Sequence, residues 1–509
     1  MTNDIKSERR QVRINSISSL VYFVLNAAVG LWLVPYLIGE IGVDGYGLIA
    51  LAVSLTAYVA LAAGSVNSSI SRFLSIDINR DDFDSANETF NSALLGVSIG
   101  ILLVFPILWV LAANIGEIVK VSPRFADSAP DLFLLLIIAF FITFVRNIFT
   151  APAFAKNRLD LIFFGQGLET LIKVGVLVVL MGILASDVDV VGYATLIGAV
   201  IALFYGLALW RKFAPYLTVS LKALRFSRFS ELFAMSGWIT VNQTGAILFL
   251  NVDLLIANLF IGATGAGYFG ALLQLSIALR SLSAVLAGVV TPLVFSRYAK
   301  DRTDELVAVA RTGIKYLGLL VALPVGVVCA AAHPLLTLWL GEEFAEFAPL
   351  VWFMMFHLAA NVAVRPLFAV QQAANSVRGP AIVTLLLGAS HVVLSIVFVT
   401  LFDWGLYGIA ISGIITLSLK NSIYTLIHAA RLLQQPFWTF AGPVLAALAS
   451  ATVAALVFTA IRELITVDSW VMLIVASGVT TLIYVGFAWT VILGNEDRVS
   501  LRESLLSGF

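Results

Sequence analysis

Cysteine is almost missing from this chain; Cys329 stands alone. That excludes a disulfide framework and any cysteine-built metal cluster. Charge is scarce too. Only 12% of the residues are Asp, Glu, Lys or Arg, about half the share of a soluble domain. The 30 basic and 30 acidic residues cancel, so no bulk charge draws the chain to nucleic acid. Histidine occurs four times and never as His-Glu-x-x-His. No Gly-rich loop ends in Lys-Ser/Thr, so no nucleotide motor is built in, and there is no nucleophile elbow. The longest connections expected on the outer side, near 114–130 and 333–349, span about 17 residues, too few for an extramembrane catalytic domain. The reading is therefore a non-enzyme with no cofactor and no metal, which does its work inside a membrane.

What the chain has in abundance is apolar sequence. Hydrophobic residues make up 60% of it, the mean hydropathy is +1.00, and the apolar runs reach about 20 residues, the length that crosses a bilayer as a helix. A porin-type barrel would alternate apolar and polar residues instead. The spacing predicts about fourteen membrane helices, from 13–39 through 469–493. The first run follows a basic tail and is too long for a signal h-region, so it is expected to be a retained helix. Basic residues mark the inner side: Lys6, Arg9, Arg10 and Arg13 in the tail, then Arg72 and Arg80, Lys156 and Arg158, Arg211 and Lys212, and Arg297, Lys300 and Arg302, against Lys120, Arg124 and Arg462 on the other side. Both termini are expected in the cytoplasm. Residues 211–231 carry Lys222, Arg225 and Arg228 between apolar positions and are expected to form a cytoplasmic amphipathic linker, at the membrane interface or as a plain basic tether.

The stretch 251–300 organises the chain. Asn251-Val252-Asp253 opens an apolar run that ends in Ile261-Gly262-Ala263-Thr264-Gly265-Ala266-Gly267-Tyr268, and a long segment with Arg280 and Pro292 follows, closing at Ser296-Arg297. Gly42-Val43-Asp44-Gly45-Tyr46-Gly47 echoes this turn 220 residues earlier and also leads into a long apolar run and Ser71-Arg72. One unit has been used twice.

Charges inside membrane helices cost roughly 2.5–3.5 kcal/mol each at the helix centre and mark functional sites. Here they are unbalanced: Arg146, Lys173, Arg280, Lys315, Arg365 and Lys420 against Glu169 and Asp253. The surplus points to an anionic cargo. Helical spacing aligns Asn15, Ser19, Tyr22 and Asn26; Thr143, Arg146, Asn147 and Thr150; Gln166, Glu169, Thr170 and Lys173; Asn242 and Asp253; His357, Asn361 and Arg365; and Ser412, Thr416 and Lys420. Each has a plainer alternative. Glu169 and Lys173 form an i, i+4 pair in the favourable order, Lys315 is near enough to a helix end to snorkel, and Asp253 either neutralises a basic neighbour or titrates as a coupling-ion site. His357 and His391 read as hydrogen-bonding residues rather than ligands. Pro35, Pro106, Pro292, Pro324 and Pro366 suit kinked, closely packed helices.

With Pro35-Tyr36-Leu37-Ile38-Gly39, the Gly42–Leu48 turn, Asp253-Leu254-Leu255-Ile256, Gly262, Gly267-Tyr268, Pro292 and Ser296-Arg297 on the page, the chain resembles a Wzx-type polysaccharide flippase. That family belongs to the multidrug/oligosaccharidyl-lipid/polysaccharide exporter superfamily. The resemblance implies an all-α polytopic membrane protein with two pseudo-twofold-related six-helix lobes, an N-lobe at 1–210 and a C-lobe at 232–430, plus two C-terminal helices and a tail at 431–509. It implies alternating access through a cationic central cavity that flips a polyprenyl-pyrophosphate-linked oligosaccharide, such as an O-antigen, lipopolysaccharide or exopolysaccharide repeat unit, across the bacterial cytoplasmic membrane. The substrate-binding candidates are Arg146, Lys173, Arg280, Arg365, Lys420, Lys315, Asn242 and Asn361, with Tyr22 and Trp238 to stack on sugar rings. Asp253 and Glu169 are the ion-coupling candidates, for H+ or Na+. Membrane lipids and a polysaccharide polymerase or chain-length machinery are the implied partners. The alternatives are an ion-coupled multidrug antiporter or a lipid II flippase of the same superfamily, and a membrane glycan polymerase.

Overall fold

The computed structural model describes residues 2–184, 186–220, 237–494 and 498, with side chains except those of 2–9, 60–66, 68 and 237–240. Trp238's side chain and most of the expected linker, 221–231, lie outside the described residues. Most of those described are helical, with no strand among them.

The first helix, α1 (Thr2–Asn79), runs 78 residues. At 1.5 Å per residue that is about 120 Å, several times the ~30 Å of a hydrocarbon core. Gly42 interrupts it with φ 78° and ψ 172°, a conformation open to glycine alone, and divides it into two arms. After it come α2 (Phe83–Ala113), α3 (Ala129–Ala155), α4 (Leu159–Ile183) and α5 (Asp189–Phe213). Next, α6 (Gly237–Leu250) and α7 (Val252–Ile256), with its π-helical extension Ala257–Ile261, form one span bent by 47°. Then follow α8 (Ala263–Ala299), α9 (Thr303–Ala330) and α10 (Ala332–Leu340), and a span broken into α11 (Ala348–Met355), α12 (Leu358–Ala363) and α13 (Arg365–Ala373). The chain continues through α14 (Arg378–Thr400), α15 (Gly405–Ser418), a π-helical segment Leu419–Tyr424, α16 (Thr425–Leu432), α17 (Trp438–Leu464) and α18 (Trp470–Phe487). Among the described residues twelve helices are long and apolar enough to cross a membrane, thirteen with the bent pair. The two arms of α1 bring this to the expected count of about fourteen. The apolar surface that remains open, such as Leu102, Leu103 and Ile107 on α2 or Leu482 on α18, is the surface a bilayer covers.

Internal contacts divide the chain into two units: Met1–Ala271 with Thr384–Val392, and Leu272–Val383 with Val393–Phe509. In the first, Phe90 stacks on Trp210 at 5.5 Å and meets Phe149 edge-on, among Ile70, Leu74 and Ile148. The two echoed turns behave alike. Gly262 takes φ 129° where Gly42 takes 78°, and each releases a long helix. They also pack on one another: a Cβ on Gly47 would stand 2.5 Å from the Gly267 nitrogen and 2.6 Å from the Ala263 oxygen, and one on Gly267 would collide with the Val43 carbonyl. Only glycine lets these backbones touch.

Polar groups in this unit act as staples. Asn258, fully buried, accepts from the Lys120 N–H and donates to the Lys120 carbonyl. Ser54 donates to the Asn251 carbonyl (2.7 Å) at the bend between α6 and α7. Asn15, expected in a polar stripe of the first helix, instead donates to the Asn157 carbonyl and accepts from the Asp160 N–H, clasping the turn between α3 and α4. Tyr22 stacks on Phe163.

In the second unit the C-terminal pair packs on α9. Ala447 and Ala451 of α17 meet Gly318 and Gly326, a small-residue seam of the kind that substitutes for hydrophobic driving force in lipid. The Tyr484 hydroxyl of α18 donates to the Leu319 carbonyl (2.8 Å). Pro35, Pro106, Pro292 and Pro324 sit inside helices as expected. Pro366 does not kink a helix: it lies in the first turn of α13, where a missing N–H costs nothing.

Gly267→Ala is expected to destabilise the chain by about 1–3 kcal/mol, read as a lowered thermal midpoint in detergent. Gly39→Ala, with nothing within 4 Å of the added carbon inside a helix, leaves the midpoint unchanged or raises it slightly, by up to about 1 kcal/mol of stability.

Candidate functional site

The intramembrane charges fall into three groups. The first joins α3 and α4. Arg146 is buried and its guanidinium pairs with Glu169. Local spacing favours Glu169 with Lys173, but the structure gives the carboxylate to the neighbouring helix. The reason is close packing by α5: a Cβ on Gly206 would lie 2.8 Å from Arg146 Cγ, and Gly198 abuts the Glu169 carbonyl and the Lys173 Cβ. The arginine stem lies in the groove these glycines open, and its head reaches Glu169. Lys173 instead faces a cavity of about 270 Å³ lined by Thr56, Thr143 and Thr195 amid Leu37, Phe140 and other apolar side chains. Asn147 and Thr150 line a separate cavity of about 410 Å³ with Asn67, Ser71 and Arg72.

The second group lies in the other unit and is cationic. Lys420 stands within electrostatic reach of both Arg280 of α8 and Arg365 of α13. The Arg365 guanidinium donates to the Arg280 carbonyl (3.3 Å), and Lys420 Nζ sits 4.9 Å from the centre of the Phe368 ring. Among the described residues Arg365 and Lys420 make no ion pair with a carboxylate. Both occupy helix irregularities. Arg365 starts α13 after the break at Val364, and Lys420 rides the π-helical segment after α15. Discontinuous helices and π-bulges in membrane transporters gather where substrates bind.

Asn361 organises the ground beneath them. Its amide meets His357 Nδ1 (2.8 Å) and Ser418 Oγ (3.2 Å), and its side-chain carbonyl accepts from Ser422 (2.9 Å). Asn421 donates to its backbone carbonyl (3.1 Å). The expected single face of His357, Asn361 and Arg365 survives only in part, because the span breaks at Phe356–His357 and again at Val364. Ser412 and Thr416 are both buried, Thr416 donating to the Ser412 carbonyl and Ser412 bonding Ser395. Lys315 is half-buried on α9.

The third group is Asp253 with His391, 138 residues apart, at 2.6 Å from Nε2 to Oδ1. Sequence spacing placed Asn242 and Asp253 on one face; the break at Asn251 and the 47° bend cancel that register. His391, expected to hydrogen-bond, has no exposed side-chain surface and stacks on Phe249 at 6.0 Å. Reading spacing missed the roles of His391, Phe368, Ser422 and the α5 glycines. Each is a partner supplied by another helix, and only the apolar environment, which forces a buried charge to find one, hinted that partners existed.

Residues 12–299 match the model of the polysaccharide biosynthesis protein family. The chain belongs to that family. A membrane protein described as uncharacterized and named EpsK, from Bacillus subtilis (strain 168), is 33% identical over 487 residues, covering 95% of this chain and 96% of its own. Among solved structures, the lipid II flippase MurJ in an inward closed conformation aligns with a TM-score of 0.69 over 94% of this chain and 99% of its own, at 14% identity. An inward-facing multidrug-resistance MATE transporter of the MOP superfamily aligns with 0.68 over 82% and 98%, at 15% identity. This family member thus carries the fold of the exporter superfamily that its Gly-Tyr turns resemble, and the neighbours that share the fold are transporters or flippases.

Breaking the Arg146–Glu169 pair from one side strands a buried charge. Arg146→Met and Glu169→Leu are each expected to lower stability, and the double variant to lower it by less than the sum, with a coupling of roughly 1–3 kcal/mol in a double-mutant cycle of unfolding free energies.

Proposed function

We propose that the chain flips a polyprenyl-pyrophosphate-linked oligosaccharide, the repeat unit of a polysaccharide, across the cytoplasmic membrane by alternating access. The observation that carries this reading is the cluster of Arg280, Arg365 and Lys420. Lys420 is repelled by both arginines, and a cation in apolar surroundings costs energy to hold there. Among the described residues Arg365 and Lys420 have no carboxylate to offset that cost. An anion of multiple charge removes both penalties at once. A diphosphate does so best, because two guanidinium forks match its oxygens bidentately and an ammonium adds a point charge. Membership of a polysaccharide-biosynthesis family supports a glycan on that diphosphate.

In this reading the N-lobe is 1–210, the C-lobe 232–430 and the accessory pair 431–509, with both termini cytoplasmic as the basic residues of the loops require. Arg280, Arg365 and Lys420 neutralise the diphosphate, and Asn361 holds Ser418, Ser422 and His357 in place beside them. Lys173, in its threonine-lined cavity, gives the other unit a cation for acidic sugars or a phosphate oxygen. Arg146 contributes less than spacing suggested, since Glu169 already answers its charge; by the same token Glu169 is weakened as an ion-coupling site. Lys315 and Asn242 keep minor places in the proposal. The lipid tail stays in the bilayer throughout, and a polymerase takes up the flipped unit.

Transport of a labelled polyprenyl-diphosphate glycan in proteoliposomes tests this. Arg280→Ala and Lys420→Ala are each expected to cut the rate at least about tenfold, the loss of one charge-assisted contact of about 1.4 kcal/mol or more, with the variants present at wild-type level. Arg365→Lys retains more activity than Arg365→Gln. Full activity in Arg280→Ala and Lys420→Ala together removes the cationic site.

A further inference from the structure

We propose that the cavity between α1, α3 and α4 holds the headgroup of an anionic phospholipid with free hydroxyls, of the phosphatidylglycerol kind, as a resident lipid rather than as cargo. This site is independent of the flippase reading.

The cavity lies within the first unit and measures about 410 Å³, the size of a small-molecule site rather than a hole for one water. Helical spacing explains why polar groups converge there. Asn67 and Ser71 stand one turn apart on α1, with Arg72 beside them, and Asn147 and Thr150 share one face of α3. Ala151, next to Thr150, is small enough to leave the space open.

Depth points to a headgroup. Arg72 is about two turns from the end of α1, and Asn147 and Thr150 lie in the last turns of α3. Ile162, on the third wall, belongs to the first turn of α4. The Asn79 amide donates to the Ala155 carbonyl (3.4 Å), so α1 and α3 end at one level. Around that rim stand Arg80, Lys156 and Arg158, on the side that the basic loops mark as inner. The long stem of Arg72 carries its guanidinium toward this rim. Basic pockets between membrane helices at that level are where lipid headgroups bind.

Charge and chemistry select the lipid. One guanidinium lines the cavity and no carboxylate does. That set balances a single negative charge, which is what a phosphate diester carries. The diphosphate of the proposed cargo carries more, and suits the cations of the second unit better. Ligand pockets are mostly apolar, yet five of the eight residues around this one have polar side chains. The Thr150 hydroxyl donates to the Asn147 carbonyl (3.2 Å) and keeps its lone pairs to accept from a ligand. Two amides and two hydroxyls are more than a bare phosphate needs, and they match the hydroxyls of a polyol. Phe154, 46% exposed, and Ile162 supply apolar surface for the first carbons of the acyl chains. A lipid seated here touches three helices at once, and its binding stabilises the chain by mass action.

Native mass spectrometry of the delipidated full chain, titrated with dioleoyl phosphatidylglycerol, tests the site. One tight adduct is expected. Dioleoyl phosphatidylmethanol, a diester of equal charge without hydroxyls, is expected to bind roughly three- to tenfold more weakly. Arg72→Gln weakens both lipids at least about tenfold, the worth of one charge-assisted contact. Asn147→Leu brings phosphatidylglycerol down to the level of phosphatidylmethanol and leaves the latter unchanged. Lys300→Gln, outside the cavity, alters neither. If Arg72→Gln fails to fold, the Asn147→Leu comparison decides. Equal binding of the two lipids by the wild type overturns the proposal, as does phosphatidylglycerol binding that Asn147→Leu leaves intact. Displacement of the lipid by free glycerol phosphate at equal concentration assigns the cavity to a soluble phosphate. Displacement by a polyprenyl-diphosphate glycan assigns it to the cargo. Either displacement also overturns the resident lipid. None of these measurements requires transport, so they decide the site even if no glycan moves.

Discussion

A buried charge or an open backbone group in hydrocarbon has no water to turn to, so it must find its partner within the protein. That constraint shapes this chain wherever its helices break. The bend at Asn251 leaves a carbonyl that Ser54 of another helix satisfies. The loop at Lys120 is closed by Asn258, which serves the N–H and the carbonyl of one residue. The turn between α3 and α4 is held by Asn15 from α1. Each of these irregularities is met by a polar side chain from elsewhere in the sequence.

The constraint sorts the charges by unit. In the first unit the acids are answered: Glu169 by Arg146, Asp253 by His391. In the second, Arg365 and Lys420 lack a carboxylate among the described residues, next to Arg280, and rest on a backbone carbonyl and an aromatic face. A carbonyl dipole and a ring quadrupole offset part of a cation's cost, the ring by roughly 0.5–2 kcal/mol, and leave the net charge standing. A protein that gains nothing from the arrangement would replace it with apolar packing. The proposed anionic cargo would supply a reason to keep it, and a polysaccharide-biosynthesis family on an exporter fold supplies the context.

The fold was readable because it rests on local rules. Apolar run length marked the spans, and the Gly42 and Gly262 turns marked the repeat, both now seen with positive φ. The site was half readable. Spacing identified the charged residues and went wrong over their partners. Glu169 looked paired to Lys173 because i, i+4 is the only pairing a single helix offers, and Gly198 and Gly206 of α5 changed the outcome by letting helices close in. Ser412 and Thr416 looked like part of a polar stripe, yet hydroxyls in a helix satisfy themselves on the preceding turn, and these do. Pro366 read as a kink because sequence alone does not tell a helix interior from a first turn. His391 and Asp253 lie too far apart in the chain for any periodicity to join them.

The proposed cargo also bears on which step of the cycle is hardest. A diphosphate brings about two or three negative charges to three cations, so the loaded cluster approaches neutrality and loses little by leaving water. The empty cluster keeps its surplus charge, and its penalty for burial stays at several kcal/mol. The empty site therefore favours a hydrated state, and cargo binding itself removes the electrostatic barrier to dehydration. Carriers built this way move when loaded and resist cycling empty, without a nucleotide to enforce the order.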